Sequence, residues 1–178
     1  MPDLFPSPDP IQSPKAYQDH LLGLLGDDDP AAVQSKTPPT LRTLVREAAS
    51  NLSRRPEPAE WSVRECIAHM VDAETVMSGR YRFVLAQDEP PLLGYDQDLW
   101  VDRLHGHEED DDLEAMLDLF GTLREANVAL WNATSDEGRQ RVGMHAERGP
   151  ESYELSFLMI AGHDRFHVAQ ARRALEAF

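Results

Sequence analysis

Apolar residues recur at the helical period along most of this chain. Tyr17, Leu21, Leu24 and Leu25 share one side of a segment from Ala16 to Leu25, with Ser13-Pro14 reading as an N-cap followed by proline at the first helical position and Gly26 as the stop. Leu41, Leu44, Val45 and Ala48 mark a second short helix, opened by Thr37-Pro-Pro-Thr40, running to about Ser50 and broken by Arg54-Arg-Pro-Glu-Pro58. In Trp61-Ser-Val-Arg-Glu65, Ser62 and Glu65 form a capping-box signature, with Trp61 placed as a hydrophobic staple. The helix it opens runs to about Ala86 and carries Cys66, His69, Ala73, Val76, Met77 and Arg80 on one face. Met116, Phe120, Leu123, Val128 and Trp131 supply the apolar bulk of another helix, over about 113–133, and a last one covers about 153–177.

Residues 87–107 and 135–152 lack this period and read as long connections, irregular or partly structured. No strand pattern competes with the helices over more than a few residues. Three long helices and a broken first one predict an all-α fold, a four-helix bundle whose long connections permit a topology other than simple up-and-down. A proline-rich arm covers residues 1–12, and the bundle covers 13–178 as one domain. The acidic run 108–112 reads as favourable charge at the amino end of the helix that follows.

Composition narrows the partners. A formal net charge of -15, with Lys15 and Lys36 the only lysines, gives no electrostatic footprint for nucleic acid or for an anionic membrane surface. The apolar stretches are too short to span a bilayer. Cys66 is the only cysteine, so an intrachain disulfide is excluded, and the start lacks the pattern of a secretory signal. The expected location is the cytoplasm, and the expected partner a small-molecule substrate.

The chemistry concentrates on three histidines. His163 and His167 stand four apart in the last helix and can reach one point beside it. His69 lies in the buried stripe of a different long helix, where a polar ring needs a partner. Three imidazoles with an open fourth position suit a divalent metal ion, zinc or nickel, which would activate a bound water or a thiol. Asp72, Glu74 and Asp164 are the nearby acids that either orient a ligand histidine or face solvent, Asp72 being the foremost. Arg80 either anchors a substrate anion or pairs with Glu74 or another buried acid. Cys66 reads as a small core hydrophobe rather than a nucleophile or fourth ligand. His145 either lies at the surface or closes over the site from its connection, while His20, His105 and His107 read as exposed.

Pro58-Ala-Glu-Trp-Ser62 leading into His69-Met-Val-Asp-Ala-Glu74 and Arg80, followed by Ala161-Gly-His-Asp-Arg-Phe-His-Val-Ala-Gln170, resembles the DinB-like superfamily. The resemblance runs from about residue 13 onward, and its specific part is the histidine triad. It implies an up-down-down-up bundle, a homodimer, and a metal ion on His69, His163 and His167. Characterised members include bacillithiol- or mycothiol-using thiol transferases and the mycothiol-dependent maleylpyruvate isomerase. A low-molecular-weight thiol is therefore a candidate cosubstrate. Two readings stand: a metal-dependent enzyme, either a thiol-dependent S-transferase or a hydrolase acting on a small molecule, and a non-catalytic metal-holding module for binding or stress response. The first requires an open metal face on a pocket, expected from the connections around Tyr95 to Trp100 and around His145. The last helix is apolar around much of its circumference, from Leu155 to Val168, a surplus that a second copy or the connections would cover.

Overall fold

Gly26 and Asp29 separate the first two helices. The structure, a computed structural model, describes residues 7–10, 12–105 and 113–178; His107, the acidic run 108–112 and residues 1–6 and 11 of the arm lie outside them. Helix α1 (Pro14–Leu25) has Pro14 in its first turn, although the Ser13 hydroxyl makes no capping bond, and it stops at Gly26 with φ of 61°. Asp29 caps α2 (Pro30–Ala48), its carboxylate accepting from the Ala31 N–H at 3.1 Å.

The sequence reading starts this second helix at residues 37–40, but it begins at Pro30 and runs through Pro38 and Pro39. Neither proline can donate to the carbonyl four residues back. The Gln34 carbonyl left free by Pro38 accepts from Arg124 Nη1 at 3.3 Å instead, so a tertiary partner replaces the missing helical bond.

A short 3₁₀ turn, Ala49–Asn51, leads toward α3 (Val63–Ala86), where the predicted capping box is formed: the Glu65 N–H donates to Ser62 Oγ at 3.2 Å and the Ser62 N–H to Glu65 Oε2 at 2.8 Å. The following connection is not irregular. It holds β1 (Pro91–Leu92) and α4 (Gln97–His105) before α5 (Leu113–Ala133). The second connection holds α6 (Asp136–Arg139) and a hairpin of β2 (Val142–His145) and β3 (Gly149–Ser152), with α7 (Tyr153–Glu176) starting at its Ser152 cap. β2 is the middle strand, parallel to β1 with Leu92 opposite His145 and antiparallel to β3 with His145 opposite Gly149. Four residues with glycine or proline among them are too few to show a strand period, which is why no sheet was predicted.

Helices α2, α3, α5 and α7 form the bundle, and their pairings give an up-down-down-up order. Gln34 meets the Phe157 carbonyl and Thr37 meets Asp164, so α2 runs parallel to α7. Tyr81 lies against Phe157 and His69 against His163, so α3 runs antiparallel to α7. Arg124 bonds Asp164 while Trp131 stacks on Phe157 at 4.2 Å, which makes α5 antiparallel to α7 as well.

The core has two apolar layers. One contains Leu41, Leu44, Ile67, Met70, Leu117 and Phe120, the other Met77, Tyr81, Val84, Trp131, Tyr153 and Phe157. Between them lies a buried polar layer in which Arg124 donates to Glu74 Oε2 (2.8 Å) and to both oxygens of Asp164, Asn127 donates to Glu74 Oε1 (2.8 Å), and Thr37 donates to Asp164 Oδ2 (2.7 Å).

The apolar surplus of α7 is covered within the chain. Leu21 and Leu24 of α1 pack on Met159 and Phe166, with Leu155 beside them. The expectation of a homodimer thus loses its motive in the surplus and rests on the resemblance alone. A methyl group on Gly162 would lie 2.0 Å from the Leu21 carbonyl oxygen, so this glycine is what lets the two helices touch. Gly162→Ala should destabilise the protein by about 1–3 kcal/mol, because the backbone clash outweighs the roughly 1 kcal/mol that alanine gains in a helix. Urea denaturation checks this, and an unchanged or higher midpoint would show that α1 yields without cost.

Candidate metal centre

The three histidines predicted from spacing converge. One nitrogen from each of His69, His163 and His167 lies within 4.8 Å of the others, and all three rings are buried. His69 projects from the middle of α3, while His163 and His167 come from successive turns of α7. His69 Nε2 and His163 Nε2 are only 3.0 Å apart. Two ring nitrogens at that distance share either a proton or a cation.

Burial sets the charge of the rings. Burial, and after it the neighbouring His167, hold His69 well below its ordinary pKa. His163 is held low by burial, then by the other two rings and by Arg124. Burial takes His167 down to about 4, although its hydrogen bond to Gln170 acts the other way. At neutral pH all three rings are therefore uncharged and have lone pairs to offer.

The residues also fit a tetrahedral ion, whose nitrogen ligands at about 2.1 Å would stand roughly 3.4 Å apart. His167 Nδ1 is tied to Gln170 Oε1 at 2.8 Å, which fixes the proton on Nδ1 and leaves Nε2 for a metal. Trp61 lies against His69 with ring centres 5.0 Å apart and stacks on His167 at 5.9 Å, so the staple residue is also an apolar wall of the site. His69 Nδ1 is buried and has no hydrogen-bond partner among the described residues.

The acids that sequence places nearby point elsewhere. Asp72 bonds His105 Nε2 at 2.9 Å, and both side chains are largely buried, so His105 is not the exposed residue predicted. Glu74 and Asp164 belong to the polar layer around Arg124. The helical wheel accounts for this: Asp72 lies about 60° from His69, while Glu74 and Asp164 lie about 140° and 100° from their neighbouring histidines. His20 packs edge-on against Phe166. Cys66 is buried in the first apolar layer, and burial pushes its thiol well above the ordinary range, consistent with packing rather than nucleophilic attack.

Beside the triad lies a cavity of about 320 Å³ between α3 and α7. His69, Ala73, Met77 and Arg80 form one wall, and Ser156, Met159, Ile160 and His163 form the facing one. The first connection closes it with Gly94 to Asp98 and the hairpin with His145, Glu147 and Arg148, the two stretches predicted to do so. Trp100 instead backs Tyr95, with ring centres 4.5 Å apart.

His145 is buried and not at the surface. Its Nδ1 accepts from the N–H groups of Glu147 at 3.2 Å and Arg148 at 3.4 Å, which leaves Nε2 protonated, and burial with Arg148 lowers its pKa to about 4. A second cleft reaches His167 past Trp61 and Gln170, and Asp98 lines both openings. Sequence reasoning did not single out Asp98 or Gln170, although Gln170 stands one turn after His167, where a partner for its outer nitrogen can be sought.

Residues 31–171 match the profile of the DinB superfamily. A protein of Oceanobacillus iheyensis with the provisional name metal-dependent hydrolase is 22% identical over 124 residues, 70% of each chain. Another from that organism, under the same provisional name, is 24% identical over 109 residues, 61% of this chain and 62% of its own. Among solved structures, YfiT from Bacillus subtilis, described provisionally as a metal-dependent hydrolase with an unusual four-helix bundle topology, superposes with a TM-score of 0.72 at 20% identity. That match covers 90% of this chain and 86% of YfiT, and it bears on the fold.

Proposed function

The chain belongs to the DinB superfamily, and from that premise and the geometry of the triad we propose that it is a metal-dependent hydrolase of small molecules. The observation that carries the reading is three buried, uncharged imidazoles converging beside a cavity. His69, His163 and His167 would hold a divalent ion, zinc or nickel by the all-nitrogen donor set. When bound, such an ion supplies Lewis acidity and lowers the pKa of water.

The chain's own residues do the rest. Gln170 orients His167 through Nδ1, and Trp61 lays an apolar ring against His69 and His167. Among the described residues no fourth His, Cys, Asp or Glu joins the cluster, which supports a reactive site over a closed structural one. The two relatives and YfiT carry hydrolase descriptions. Water activation is accordingly proposed here ahead of thiol transfer, which remains chemically open to such a centre.

Elemental analysis of protein purified without a metal-affinity tag should find close to one equivalent of metal per chain. Zinc- or nickel-loaded protein should hydrolyse a panel of small esters and amides, and chelation should abolish turnover. Trace metal only, or rates no higher than those of the free ion, would remove the reading.

A further inference from the structure

Arg80 is a mostly buried guanidinium with no carboxylate hydrogen-bonded to it among the described residues. Its Nη2 donates to the Leu93 carbonyl, and among the described residues its Nη1 meets only Met77 sulfur at 3.6 Å and its buried Nε has no acceptor. The other arginines buried nearby have their anions: Arg124 holds Asp164 and Glu74, and Arg148 holds Glu151 at 2.6 Å. Glu151 also accepts from Ser156 Oγ at 2.6 Å, so it is fully engaged. Glu147, the other carboxylate whose charge reaches Arg80, is exposed at the rim. Burial and the charge of Arg148 both push the Arg80 pKa down, as expected of a cation whose counter-charge is incomplete.

Arg80 lines the same wall of the cavity as His69, eleven residues along α3, or about 16 Å between Cα atoms. Ala73 and Met77 lie between them on that wall. An arginine side chain leans back toward the start of its helix, which brings the guanidinium to the order of 10 Å from the triad. His145 lines the same cavity, with its protonated Nε2 as a second donor. Asp96 and Asp98 also line it and disfavour a ligand with several negative charges.

We propose that Arg80 and His145 form a carboxylate-binding subsite, so that the substrate is a small, extended monoanion whose carboxylate lies remote from the bond that is cleaved. The proposal rests on the hydrolase reading of the triad for the cleaved end, and on Arg80 itself for the anionic end.

The test uses the full chain loaded with zinc and titrated calorimetrically with linear hydroxamates that end in a carboxylate after about four to eight methylene groups. Their methyl esters and ω-phosphonates serve as comparisons. At the best length the carboxylate should bind about tenfold or more tightly than its ester, the usual effect of a charge-assisted hydrogen bond. Arg80→Met should cut that preference to within about twofold and leave ester binding unchanged, while Arg80→Lys retains part of it, with circular dichroism showing that both variants fold. Equal binding of acid and ester at every length, or an undiminished preference in Arg80→Met, overturns the subsite. A preference for the phosphonate over the carboxylate overturns the carboxylate assignment.

A second arm removes the metal and follows hexanoate binding by NMR. Wild type should bind it about tenfold more tightly than Arg80→Met, and equal binding overturns the proposal. If hexanoate discriminates the two proteins but no hydroxamate engages the zinc form, the triad reading fails and the anion subsite stands.

Discussion

Replacing Arg124 with methionine should destabilise the fold by about 3–5 kcal/mol, the cost of removing one partner from a buried ion network. Arg124 is 2% exposed and serves Glu74, Asp164 and the Gln34 carbonyl at once. Methionine fills similar space but takes the only cation of the layer from two carboxylates, which keep just Asn127 and Thr37 among the described residues, and removes the donor to the Gln34 carbonyl. Adding Glu74→Gln and Asp164→Asn should recover much of the loss. Urea unfolding of the single and triple variants decides the matter, and a single-variant loss under about 1 kcal/mol would mean that water or rearrangement already satisfies the layer.

The second large effect is on metal retention. A four-ligand structural zinc site supplies about 10–16 kcal/mol, or roughly 3 kcal/mol per ligand, so His163→Ala should weaken metal binding by more than about a hundredfold. Gln170→Ala leaves all three imidazoles in place and frees only the outer nitrogen of His167, so about 10–100-fold is expected. The metal-free fold should survive His163→Ala, because the substitution removes a polar ring from a crowded buried cluster. Added zinc at a hundred times its dissociation constant should stabilise wild type by about 2.7 kcal/mol, and chelation should reverse that gain. Competition with a fluorescent chelator measures the affinities; an unchanged value in His163→Ala would show that the metal sits elsewhere.

The helices were legible in the sequence wherever one face or one cap specified them locally. Ser62 and Glu65 announced α3, and the four-residue step from His163 to His167 needed only the helical period. What remained hidden depended on residues far along the chain. The passage of α2 through Pro38 and Pro39 relies on Arg124, ninety positions from the Gln34 carbonyl that it serves. Arg124 and Asn127 look like ordinary surface polar residues until Glu74 and Asp164 are placed beside them. Asp72 stands three residues from His69 in sequence, yet its rotation around α3 turns it to His105. The partners of the acids and the sheet stay hidden for one reason: spacing reports what a helix can present, and only packing reports what it meets.

The order of the bundle helices bears on how the site comes into being. His69 and His163 are 94 residues apart, and α2 meets its parallel neighbour α7 through contacts of similar range, among them two hydrogen bonds spanning 123 and 127 residues. Contacts of such range form late, because a long loop must close before they return any stabilisation. During synthesis α7 is the last of these helices to leave the ribosome, so a growing chain can present His69 but not the triad. Under the proposed function, metal capture would thereby wait until the topology is complete, because an ion met earlier would find one imidazole of the triad and not three.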